Sequence, residues 1–239
     1  MAKQTRIFLS GKIDNLIFYE FRGQPCSRTA PVKVRQTKAT KASAKLFGMA
    51  VSMSAALRQN LWTILPEKDP HKNMYLLNAG ILKWLKEKRT KNPIPSNALS
   101  PLHGLSFNKD CTLYSRLRKA VSLDWSKSGQ VVVQIPALTP AKDISAPGKT
   151  EVLFWRITVV SCTVSSPSAA GERSVKELEM PYDNLPIGAR SIELPFALKR
   201  GDLAVVVISL QYGIAKNGQT SLLTNSKWLP VDIVDAAYW

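Results

Sequence analysis

Five side chains could do nucleophilic or metal chemistry by type: His71, His103, Cys26, Cys111 and Cys162. Their spacing argues against both. No Cys-x-x-Cys occurs, and neither histidine has a Cys, His or carboxylate at ligand spacing, so no metal and no cofactor is expected. Cys111 with His103 is the one pair that could activate a thiol, and an inert thiol is the simpler reading of each cysteine. Three widely spaced cysteines do not make a disulfide framework and fit a reducing compartment. Gly148-Lys149-Thr150 lacks the upstream glycine spacing and the following helix of a phosphate loop. Glu177 and Glu179 fall in an expected strand and read as a solvated face. The chain therefore reads as non-enzymatic, with no catalytic residue to name.

Charge is the feature that points to a partner. The 239 residues hold 33 Lys and Arg against 17 Asp and Glu, a net charge of +16. Residues 1–130 hold 23 basic and seven acidic side chains, and residues 131–239 hold ten of each. Such asymmetry points to an anionic partner for the charged half. The excess is densest in "RTAPVKVRQTKATKASAKLF", residues 28–47, where Arg28, Lys33, Arg35, Lys38, Lys41 and Lys45 occur without one acid. These six are the candidate contacts to nucleic-acid phosphates or to an acidic protein surface. Phosphate contacts of this kind are sequence-independent and salt-sensitive. Aromatic residues for base stacking are sparse in the stretch, and no helix-turn-helix, zinc finger or RNA-binding signature is visible.

The elements that must position these residues follow from periodicity. "KIDNLIFYEF", a turn at Gly23 and "PCSRTAPVKV" read as a β-hairpin, with Pro25 and Pro31 confining the return strand to an edge or an arm. Leu46, Ala50, Met53, Leu57, Leu61 and Ile64 recur at spacings of three and four, which predicts a helix over about 40–65. Lys38, Lys41 and Lys45 share one face at its start. Ala44, Gly48, Val51 and Ala55 form another face, small enough for a second backbone to approach. A second helix begins at Asp69-Pro70, with Met74, Leu77, Ile81, Trp84 and Leu85 as its stripe. Residues 90–104 are rich in Pro, Ser and Asn and read as a linker. Short strands follow at about 118–126, 130–136, 151–164, 174–180, 191–196, 203–213 and 221–233. The expected fold class is α+β: an N-terminal β-hairpin and two helices over 1–111, then an antiparallel β-sandwich of immunoglobulin or fibronectin III type over 112–239.

The apolar runs at the N-terminus are three or four residues long, against about 7–15 in a signal peptide. Leu46 to Leu57 is the longest charge-free apolar helix segment and falls short of the roughly 20 residues that span a bilayer. The expectation is no membrane partner, and a place in the cytoplasm or in a particle or filament.

The segment "SGKIDNLIFYEFRGQPCSRTAPVKVRQTKATKASAKLFGMA" resembles an uncharacterised bacterial family found in phage-like and mobile-element settings. Gly11, Lys12, Asn15, Tyr19, Gly23, Arg28, Pro31, Val34 and Thr40 carry the resemblance. The helix start "TKATKASAKLF" departs from it, because the family places Pro near the first Thr and Gln and Arg further on. The resemblance implies no enzymatic activity and suggests a virion, tail or filament role. The function expected is thus a structural or docking protein that self-assembles through the basic arm and the small-residue helix face. A non-specific nucleic-acid binder is the alternative, and an enzyme with an unrecognised site the third.

Overall fold

The computed structural model describes all residues except 1–2, 6–7, 32–35, 66–69, 91–100, 126–129, 168–170, 198 and 217–218. The chain divides into two compact units, Met1–Ser43 and Ala44–Trp239. The fold is α+β, and every strand pair is antiparallel among the described residues.

The first unit is a four-stranded meander rather than a single hairpin. Its strands are β1 (Lys3–Thr5), β2 (Phe8–Ile13), β3 (Leu16–Phe21) and β4 (Gln24–Thr29), in that spatial order. Two-residue turns close the β2–β3 and β3–β4 hairpins. Asp14 lies at φ 50° in the first, and Arg22 and Gly23 at 53° and 77° in the second. Positive φ at the central residues matches the twist of flanking strands, which favours Asp, Asn and Gly there. The Asp14-Asn15 turn splits a run that reads as one strand from composition. β4 carries Pro25 and is an edge strand, where a missing N–H costs no ladder bond.

α1 (Lys38–Leu61), which starts in the first unit and runs into the second, and α2 (Pro70–Thr90) bury the stripes expected of them. Met53, Leu57, Leu61, Leu77 and Ile81 are fully buried, and Leu46 and Met74 are half-buried. A larger sheet consists of β7 (Val152–Thr163), β8 (Arg173–Pro181), β10 (Asp202–Lys216), β11 (Gln219–Leu222) and β12 (Val231–Tyr238). One edge of β10 pairs with β7, and the other pairs with β12 along its first half and β11 along its second. A smaller sheet has the order β5 (Ser122–Asp124), β6 (Gln130–Ile135), β9 (Arg190–Pro195). Two four-residue helices, α3 (Leu113–Arg116) and α4 (Pro140–Asp143), sit in the connections.

The cores explain the central strand. Ala204, Val206, Ile208, Leu210 and Tyr212 of β10 join Val131, Val133, Leu194 and Trp155 in a core between the two sheets. Leu203, Val205 and Val207 join Val160, Cys162, Val231, Ile233 and the helix stripes in a second core. The large sheet is therefore covered on both faces, and "DLAVVVISL" is apolar without alternation for that reason.

The division of contacts does not follow the expected boundary at 111/112. Val231 and Ile233 of β12 lie in the helix-facing core, and the segment before 111 is stitched to the same strand. Gly104 N–H donates to the Ile233 carbonyl (2.8 Å), Ile233 N–H to the Leu105 carbonyl (2.9 Å) and Phe107 N–H to the Val231 carbonyl (2.9 Å). The expected strand at 221–233 is also two, β11 and β12, separated by a single 3₁₀ turn at Ser226–Trp228. Asn225 caps that turn through its side-chain oxygen, which accepts from Lys227 N–H at 3.1 Å.

Candidate functional site

The basic residues singled out above occupy three settings. Arg28 lies on β4. Lys33 and Arg35 fall within 32–35, outside the described residues. Lys38, Lys41 and Lys45 are exposed along the first turns of α1. Thr37 caps that helix: its hydroxyl oxygen accepts from Thr40 N–H at 3.1 Å. The first turn of α1 holds no acid, so lysines stand at the positive end of the helix dipole, a placement that costs about 0.3–1 kcal/mol each at low salt. Of the small-residue face, Ala44 and Gly48 are exposed and Val51 and Ala55 half-buried. A Cβ added at Gly48 would meet nothing within 4 Å, so among the described residues no close approach offsets the glycine's helix cost of about 1 kcal/mol.

The N-terminal sheet supplies residues that the acid-free stretch does not reveal. Paired residues in a ladder project to the same side of a sheet. The register pairs Lys12 with Ile17 and Ile17 with Arg28, then Tyr19 with Cys26 and Phe21 with Gln24. These residues share one face. Ile13, Leu16 and Thr29 share the other with Phe18, Ser27, Glu20 and Pro25. The first face is cationic and aromatic and carries no acid. The second is apolar with a single carboxylate, Glu20. On the first face the Arg28 guanidinium lies 5.8 Å from the Tyr19 ring centroid, and that of Arg22, in the turn, 5.3 Å from the Phe21 centroid. Both spacings are in the range of cation–π attraction.

No described side chain of Met1–Ser43 is buried. Ile13 is 47% exposed, Leu16 40%, Tyr19 39% and Phe21 57%. The signal for this face was the i, i+2 series Ile17-Tyr19-Phe21. It lies just ahead of the acid-free stretch and so escapes a search confined to that stretch.

Two of the three thiols are buried, Cys26 is half-buried, and the His71 side chain lies outside the described residues. Cys111 is buried, and its sulfur accepts from Arg116 Nε–H at 3.1 Å. Burial pushes its thiol pKa up, with Arg116 acting in the opposite sense. His103 is exposed in a turn. Burial pushes the Cys162 thiol up to about 12. Arg116 also stacks over Trp228 at 4.0 Å and donates to the Lys227 carbonyl at 2.8 Å, so it ties α3 to the 3₁₀ turn. Among the described residues, no group of three or more His, Cys, Asp or Glu could hold a metal ion, and no helix is long and apolar enough to cross a membrane.

No family model, curated protein or solved structure matches this chain.

Proposed function

We propose that the protein is a non-enzymatic assembly subunit that docks to further copies of itself through its N-terminal sheet. The observation that carries this reading is a four-stranded sheet in which no described side chain is buried and one face presents Ile13 and Leu16 exposed beside half-buried Phe18. A small sheet draws its stability from its hydrophobic face, and covering that face removes apolar area from water. A contiguous exposed apolar patch marks an interaction surface. The Ile13–Leu16–Phe18 face, with one carboxylate, is the docking side. The exposed start of α1, with Ala44, Phe47 and Gly48, offers a second contact of low bulk. A particle or filament setting rests on the family resemblance alone.

On this reading the strands of the second unit form an immunoglobulin- or fibronectin III-like sandwich. The strand order supports it. In chain order β5, β6 and β9 take the places of strands A, B and E, and β8-β7-β10-β12 those of C′-C-F-G. Trp155, fully buried, lies on the strand in the C position, where that fold keeps a core tryptophan.

Size-exclusion chromatography with light scattering on nuclease-treated protein tests the reading. The expected mass is a multiple of the 26.4 kDa chain. Ile13→Asp with Leu16→Asp should reduce it to one chain without changing the far-ultraviolet circular dichroism. A parent that stays monomeric across a concentration series overturns it.

A further inference from the structure

We infer that the Tyr19–Phe21 face of the N-terminal sheet is a binding platform for single-stranded nucleic acid. The inference does not rest on self-assembly, which uses the opposite face. Tyr19 and Phe21 stand two residues apart on one strand, which separates their rings by about 7 Å. Both rings are open to solvent, so each can take a base. Lys12 and Arg28 flank them on the same face, and Arg22 stands at the turn. The two acids of the unit are elsewhere: Asp14 is in the β2–β3 turn and Glu20 is on the opposite face. Residues 1–43 together hold nine Lys and Arg against these two acids.

The chemistry selects the occupant. Sequence-tolerant single-strand binders combine cations that track the phosphates with aromatic rings on which bases stack. A duplex keeps its bases stacked on each other and has no use for the two rings. An acidic protein surface would satisfy the cations but leave flat aromatic faces in water. Only a single strand uses both sets of groups. The arginines over the rings are placed to meet phosphates flanking a stacked base, since guanidinium stacks and donates at once.

The test uses fluorescence anisotropy of the full chain with a fluorescein-labelled oligothymidylate of about 16 nucleotides, the upper end of single-strand site sizes. Binding is expected, with a log–log salt slope of about −2 for the three cations of the sheet, and steeper if the α1 lysines contribute. Tyr19→Leu with Phe21→Leu keeps apolar bulk but removes the rings, and should weaken binding by about thirtyfold or more. Tyr19→Phe should bind like the parent. Ile13→Asp with Leu16→Asp should also bind, which separates this site from assembly. Ultraviolet crosslinking of the unsubstituted protein should place adducts on Tyr19 or Phe21, a readout that needs no variant to fold. The inference is overturned by any of four outcomes: no binding at low salt, equal affinity for a duplex, equal competition by polyglutamate, or loss of binding only on replacing Lys38, Lys41 and Lys45.

Discussion

Asp232 is a carboxylate held inside the molecule. It lies on β12 and is buried, and its Oδ2 accepts from Leu113 N–H at 2.7 Å, which fixes the start of α3. Burial pushes its pKa above the usual 3.8, against the opposing effects of the Ser106 hydroxyl and the Leu113 amide. The native state therefore holds this proton more tightly than the unfolded chain. The associated stability is present below pH 3.8 and is lost as pH rises through the higher native value. Asp232→Asn keeps an oxygen for the Leu113 amide and removes the charge. Urea denaturation of parent and variant across this range should show the variant gaining on the parent as pH rises. A parent that gains on the variant instead would mean that the amide hydrogen bond outweighs desolvation.

At the scale of elements, the helices and the large sheet form one folding unit. Val160, Cys162, Leu203, Val205, Val207, Val231 and Ile233 are buried against α1 and α2. Exposing a buried aliphatic side chain of this size costs about 1.5–3 kcal/mol. A fragment of residues 112–239 uncovers all seven and also loses the 104–107 segment bonded to β12. It should show no cooperative thermal transition, while residues 44–239 should melt cooperatively. A sharp melt of the shorter fragment would restore the boundary that composition suggests at 111/112. Much of this architecture is legible in the sequence. The helix stripes and the strands at 130–135, 152–163, 173–181 and 190–195 follow from periodicity and turn residues. What the stripes pack against is not, because an apolar stripe states that it must be covered and not by what. Two turns were also hidden. Asp14-Asn15 sits inside a β-rich run, and Asn225-Ser226 interrupts a segment whose ends both look like strand. The cationic-aromatic face was hidden in part for a related reason: without the first of these turns, no register brings Lys12 beside Ile17.

For the whole molecule, part of the asymmetry of charge acquires a place. Nine of the 33 basic residues lie in the first 43 positions, within a unit that buries none of its described side chains. Deleting residues 1–43 should leave a folded monomer by light scattering that no longer binds the oligonucleotide. A truncated chain that still assembles would transfer docking to the Ala44–Gly48 end of α1. The burial of β10 on both faces has a further consequence in time. The stripe of α1 is closed over by Val205 and Val207, which the ribosome adds about 150 residues after Leu57, so at roughly 5–20 residues per second the nascent helix waits on the order of 10–30 s with its apolar side open. During that interval its leucines and methionines are available to any chaperone or neighbouring chain, and the delay is set by the order of strands along the gene rather than by any property of the finished core.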